Sequence, residues 1–206
     1  MKLFIIEKAV IKIHFCPKLN SSEDPYIKWC VELLAPVILG AKPAEIMSFP
    51  EYTPLNNEKK EKIKDFFTCC KKMNYIEFKT SNGCPKVIFY NPVSLNETLS
   101  DVRILKFLKG YGYPEEYSLD IYLNHLARKM EIEGMPHEIG VFLGYPLKDV
   151  LGFLGHPSLK LTKVNGWHVY GDPTLSDMKY NSFMEAKNII REKLKLGNIR
   201  EVVLTA

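Results

Sequence analysis

Alternating apolar and polar positions predict the strands of this chain. Residues 11–15 alternate with a period of two, which is typical of a strand with one buried face. Two pairs of apolar segments flank Asn82-Gly83 and Asn165-Gly166. Because Asn-Gly favours the positive φ angles of a tight turn, each pair predicts a β-hairpin. Residues 45–49 predict a short extended segment, and residues 201–205 predict a closing strand.

Helical periodicity predicts the elements of the first half of the chain. Residues 22–39 are largely apolar and predict one helix or two helices separated at Pro36. From Asn57 onward, apolar residues recur at steps of three, four and seven as far as Met73. This spacing predicts an amphipathic helix with Cys70 on its buried side.

Capping residues and periodicity predict three further helices. Ser100 is expected to cap a helix that stops at Gly110, and Ser118 is expected to cap the next one. A long amphipathic helix follows the second hairpin and carries Phe183 and Leu194 on one side.

These elements together predict an α+β fold. Strands from two hairpins and from both chain ends would form a mainly antiparallel sheet, with helices packed on one of its faces. The length of 206 residues, with 46% hydrophobic and 25% charged residues, is typical of a globular protein with a substantial core. Since no linker-like stretch interrupts the pattern, residues 1–206 are interpreted as a single domain.

Glycines and prolines divide the middle of the chain into a compact helical corner. The segment reads PHEIGVFLGYPLKDVLGFLGHP over residues 136–157, and FLGYP recurs in it as FLGHP eleven residues later. Pro136 suits the first turn of a helix that Gly144 ends, and Pro146 suits the start of a second helix that Gly155 ends. We call residues 136–155 the corner.

The corner also carries a resemblance to a known family. PHEIGVFLGYPLKDVLGF resembles the signature of a bacterial family called domain of unknown function 3793. LAPVILGAKPAEIM at residues 34–47 and GWHVYGD at residues 166–172 are similar to two other stretches of that family. The resemblance covers about residues 28–195 and implies no activity. Where the family pattern usually has a cysteine this chain has Leu34, so the resemblance assigns no thiol or metal role there.

Charge and cysteine content exclude several classes of protein. The 28 Lys and Arg residues and the 24 Asp and Glu residues are interleaved, so no basic face indicates nucleic-acid binding. No stretch approaches the roughly 18 apolar residues of a membrane span. The odd number of cysteines, five, without a C-x-x-C pair is typical of a reducing compartment, and we expect a cytoplasmic protein.

His137 and Glu138 are the candidate catalytic pair. They lie in the predicted first turn of a corner helix, and a histidine beside a carboxylate can perform acid-base chemistry. The alternative is structural: Glu138 complements the start of the helix and His137 bonds a neighbouring loop. Val141 stands where a second zinc-binding histidine would be required, so no metal site is predicted.

Four other residues are candidate ligand-binding residues: Lys42, Tyr145, Trp167 and Tyr170. Aromatic side chains with one cation suit small anionic or planar ligands. The alternative is that the aromatic residues only pack in the core. No nucleotide-binding glycine motif is present, and no cofactor is predicted.

The leading hypothesis is a non-catalytic module that binds a partner protein or a small ligand near the corner. One alternative is a small-molecule enzyme in which His137 and Glu138 form the acid-base pair and Lys42 or a helix N-terminus holds an anionic substrate. A second alternative, which the family resemblance motivates, is a redox- or iron-associated accessory protein. The ligand, the partner and the oligomeric state are left open by the sequence.

Overall fold

The computed structural model of the chain describes residues 24–49, 54–68, 72–79, 83 and 85–206. The described residues form nine helices and five strands, an α+β fold as predicted. The elements in chain order are α1 (Pro25–Ile38), β1 (Ala44–Ser48), α2 (Pro54–Phe67), β2 (Asn74–Lys79), β3 (Pro85–Tyr90), α3 (Pro92–Leu99), α4 (Val102–Gly110), α5 (Leu119–Glu133), α6 (Ile139–Phe142), α7 (Leu147–Phe153), β4 (Leu161–Asn165), β5 (Trp167–Tyr170), α8 (Thr174–Leu196) and α9 (Ile199–Thr205).

The strands form two separate antiparallel sheets rather than the single sheet expected. One has three strands in the order β1-β3-β2, and the other consists of β4 and β5. Both predicted hairpins are confirmed by the β2–β3 and β4–β5 pairings. In the second, Asn165 pairs with Trp167 across Gly166, whose φ of 73° suits a tight turn. In the first, Ser81 and Asn82 lie outside the described residues.

The expected strand at residues 201–205 is wrong, because this segment lies in helix α9. Asn198 caps the helix by accepting a hydrogen bond from the amide of Arg200. Ile199, Val202 and Val203 are buried, and their spacing of three and four is that of one helical face. Burial against α1 therefore outweighs the strand preference of the β-branched residues. The strand expected at residues 11–15 lies outside the described residues.

The three-stranded sheet has helices on both of its faces, not on one. Val87 and Phe89 of β3 point into a core built mainly from α1, α2, α8 and α9. Ile88, between them, belongs to a second core built mainly from α3, α4, α5, α6 and α7. Since neighbouring residues of a strand face opposite sides, β3 supplies both cores.

Two helices near the start of the described chain differ in detail from the sequence-based prediction. Helix α1 is continuous through Pro36, which lies in its last turn, although a proline there removes one i→i−4 hydrogen bond. Helix α2 ends at Phe67, so Met73 is buried beyond the helix rather than on it. Cys70 lies outside the described residues.

The prediction for the ends of α4 is also wrong. Ser100 is the C-cap residue of the short helix α3, and Asp101 caps α4 instead by accepting from the amide of Arg103 at 2.8 Å. Gly110 is the last residue of α4, and the left-handed residue is Gly112, with φ of 87°.

The later helices follow the predicted pattern. Ser118 caps α5, and its hydroxyl accepts from the amide of Ile121 at 3.2 Å. Helix α8 buries Phe183 and Leu194 on one side, as predicted. Of the helices in the described ranges, none has the length and apolar character needed to span a bilayer.

Candidate functional site

The corner folds as two short helices, α6 and α7, joined by a sharp turn at Gly144. Gly144 has φ of 81°, a region that residues with a Cβ atom rarely adopt. A Cβ atom there would lie 2.4 Å from Cδ of Pro43, so the turn packs directly against the segment that follows α1. The glycine therefore allows both the turn and its close packing.

A buried carboxylate fastens the corner to the second hairpin and to α8. Asp149 of α7 is 2% exposed. Its Oδ1 accepts from Lys148 Nζ at 2.6 Å and from the amide of Tyr170 at 2.9 Å. Its Oδ2 accepts from Trp167 Nε1 at 2.8 Å and from the Ser176 hydroxyl at 2.6 Å. We call these five residues the Asp149 cluster.

The charge of Asp149 is stabilised within this cluster. Burial alone would raise the carboxyl pKa, but hydrogen bonds from Lys148, Ser176, Tyr170 and Trp167 outweigh that effect and lower it. Lys148 Nζ also donates to the Tyr170 carbonyl at 2.8 Å and to the Ser176 hydroxyl at 2.8 Å. Because every member bonds to at least one other, the cluster holds the hairpin at a fixed position beside α7.

A cleft of about 410 Å³ lies between the corner and the hairpin. The walls are mainly apolar and come from α6, α7, β4, β5 and the turn before α6. The lining residues are Met135, Pro136, His137, Ile139, Gly140, Tyr145, Asp149, Val150, Phe153, Val164, Gly166, Trp167 and His168.

Three of the four candidate ligand-binding residues lie in one row beside this cleft. Trp167 stacks on Tyr145 with ring centroids 4.7 Å apart and an angle of 17° between the rings. Lys42 Nζ lies 5.6 Å from the centroid of the Tyr145 ring and 5.6 Å from that of Phe183. Trp167 and Tyr145 line the cleft, whereas Lys42, 6% exposed, forms an ion pair with Glu45 at 2.7 Å.

Tyr145 is a neutral phenol at physiological pH. Its burial and the nearby charge of Glu45 raise its pKa to about 12. The fourth candidate, Tyr170, packs against α7: a Cβ atom on Gly152 would lie 2.2 Å from its Cγ. Tyr170 contributes to the site through its backbone: its amide donates to Asp149, and its carbonyl accepts from Lys148.

The structure separates the candidate catalytic pair. Glu138 is 3% exposed and forms an ion pair with Lys129 of α5, away from the cleft. His137 is exposed and lines the cleft, and its ring centroid lies 5.1 Å from that of Phe153. Within the described part of the chain, the only side-chain hydrogen bond to Glu138 comes from Lys129.

Glu138 and Lys129 instead belong to a buried polar group around Tyr113. Lys129 Nζ lies 5.5 Å above the Tyr113 ring and donates to the Tyr111 carbonyl at 3.2 Å. Burial and the charge of Glu138 raise the pKa of Tyr113. The Tyr113 hydroxyl is buried and has no hydrogen-bond partner among the described residues.

A second histidine completes the edge of the cleft. His168 of β5 contacts Phe153 with ring centroids 5.7 Å apart, so both imidazoles flank the same phenyl ring. His168, Phe153 and Asp149 were not among the candidate site residues. Their role depends on contacts between the corner and the hairpin. The sequence itself does show that Asp149 is a charged residue in a short helix whose other residues, apart from Lys148, are apolar.

The site is suited to binding an apolar body with a few polar groups at its edge. Its volume lies in the range of roughly 300–1,000 Å³ found for small-molecule sites. Among the residues that the structure describes, no group of three or more His, Cys, Asp or Glu side chains is placed to hold a metal ion.

Comparison with known proteins gives one match. A family model described as protein of unknown function (DUF3793) matches residues 30–203. Neither the search of curated proteins nor the search of solved structures found a match.

Proposed function

The chain belongs to the family called domain of unknown function 3793, and we propose that it is a non-catalytic module that binds a small ligand in the cleft. The observation that carries this proposal is the cleft itself, an apolar concavity of about 410 Å³ held open between the corner and the hairpin. The Asp149 cluster supports the proposal because it fixes one wall in place without a ligand.

A small ligand suits the cleft better than a flat partner surface. Concave sites with apolar walls and few polar groups hide most of a small molecule from water, whereas protein partners usually bury broad, flatter areas. Catalysis is not part of the proposal. Glu138, which would have to orient His137, is committed to Lys129 instead.

We also propose a cytoplasmic location. The odd number of cysteines and the free, buried thiol of Cys30 support a reducing compartment.

Blocking the cleft tests the binding proposal. Val164 lines the cleft and is 64% exposed, so Val164→Trp should place an indole across the opening without disturbing the core. Val102 is 78% exposed on α4 and does not line the cleft, which makes Val102→Trp the matched control.

The measurement is a fragment screen followed by amide NMR spectra of the full chain. We expect fragments that shift the resonances of cleft residues to bind at least about tenfold more weakly to Val164→Trp and unchanged to Val102→Trp. Fragments that shift only residues elsewhere, or that bind Val164→Trp as tightly as the wild type, would contradict the proposal.

A further inference from the structure

We infer that the ligand of the cleft is a small aromatic carboxylate, with its ring against the apolar walls and its carboxylate at the edge that His137 and His168 line. This inference rests on the proposed binding function and names the chemical class of the ligand. It follows from which polar groups of the cleft are already committed to partners within the protein and which are not.

Two polar groups of the inner wall, the Trp167 indole N–H and the Asp149 carboxylate, are committed to partners within the protein. Trp167 Nε1 donates to Asp149 Oδ2 at 2.8 Å, and Asp149 accepts four hydrogen bonds in all. The negative charge of Asp149 is balanced by Lys148 at 2.6 Å. A ligand therefore meets no unbalanced negative charge on this wall, and the indole N–H is not free to bind it.

The two imidazoles are lining side chains that can offer N–H donors to a ligand. His137 and His168 are both exposed and both line the cleft, one before α6 and the other on β5. An imidazole has an N–H group that can donate a hydrogen bond to an anionic oxygen. The open edge of the cleft is thus complementary to an anion.

The rest of the lining selects an aromatic body for that anion. Phe153 contacts both imidazoles, and Met135, Ile139, Val150 and Val164 complete the apolar walls. A flat ring can cover these walls while an attached carboxylate stays at the edge, where imidazole N–H groups can donate to it. A highly charged phosphate would gain less, because its other oxygens would face apolar side chains.

Naphthoate and its uncharged amide, naphthamide, are the probes. They share the ring system and differ in the group that would meet the histidines. Calorimetric titration of the full chain should give an affinity for naphthoate about tenfold higher than that for naphthamide. Amide NMR spectra should place both compounds in the cleft.

The double variant His137→Phe/His168→Phe removes the donors and keeps the ring contacts with Phe153. It should lower the affinity for naphthoate about tenfold and leave that for naphthamide within about twofold. His156→Phe is the matched control, because His156 is exposed but does not line the cleft, and it should change neither affinity.

The remaining outcomes separate the two proposals. Naphthamide binding in the cleft as tightly as naphthoate would overturn the carboxylate inference and leave the binding function intact. A preference for naphthoate that survives in the double variant would also overturn it. If neither compound shifts the cleft resonances, the inferred ligand class fails, and the fragment screen then decides the binding function independently.

Discussion

Asp149→Asn should destabilise the protein substantially, although it changes only one atom and one charge. The carboxylate accepts two hydrogen bonds on each oxygen. Asparagine keeps one oxygen and presents an NH₂ group to the other two donors, so those donors lose their acceptor. Lys148 loses its opposite charge at the same time.

The magnitude follows from these losses. A buried donor without an acceptor costs about 1–3 kcal/mol. The lost ion pair adds less than a fully buried pair would, because the Lys148 side chain is 24% exposed and water screens it. We expect Asp149→Asn to lower the free energy of unfolding by about 2–4 kcal/mol.

Urea unfolding, followed by circular dichroism and tryptophan fluorescence, measures this difference. Asp177→Asn is the control, because the Asp177–Lys163 pair, 2.7 Å long, is well exposed. It should change stability by about 0.5 kcal/mol or less. A change below about 1 kcal/mol for Asp149→Asn, or an equal change for the control, would refute the role assigned to the Asp149 cluster.

The effect should also depend on pH in one direction. The folded-state pKa of Asp149 lies below the ordinary value of 3.8. Its contribution to stability is therefore fully present above that value and is lost as the pH falls through the folded-state pKa. The stability difference between wild type and Asp149→Asn should be constant near neutral pH and should shrink in acid.

Two further predictions concern packing and thiol reactivity. Gly152→Ala should lower the free energy of unfolding by about 1–3 kcal/mol, because its Cβ would lie 2.2 Å from Tyr170 Cγ. Gly110→Ala should raise it by up to about 1 kcal/mol, since nothing lies within 4 Å of a Cβ there. Melting temperatures that shift in the same direction for both variants would contradict this. Burial raises the pKa of Cys30 to about 12. Iodoacetamide at about pH 8 should therefore leave Cys30 unmodified in the native protein and alkylate it after unfolding, which peptide mass spectrometry measures. Equal labelling in both states would contradict the burial of this thiol.

The sequence predicted those parts of the fold that depend on near neighbours. The hairpin around Gly166 follows from a two-residue turn signal, and the corner follows from Gly144 and two prolines. Helix α9 was mistaken for a strand because its β-branched residues are placed by burial against α1, a contact between distant segments.

The candidate site was predictable only in part, for the same reason. Tyr145 and Trp167 are predicted as ligand-binding residues from their aromatic character alone, and the structure stacks them. Asp149 was missed because its partners Trp167 and Ser176 lie 18 and 27 residues away. Hydrophobic periodicity reports which side of a helix is buried, not which distant donors meet a polar residue on it.

The two cores on either side of the three-stranded sheet differ in how soon they can form during translation. The core around Val87 and Phe89 also needs Ile190, Ile199 and Val202, which are synthesised about a hundred residues later. The opposite core, by contrast, takes all its buried members from residues 44–150. During translation the core formed by residues 44–150 can therefore pack while the core around Val87 and Phe89 is incomplete and still exposes apolar surface. A chaperone should therefore engage nascent chains that stop before α9 more strongly than the finished protein.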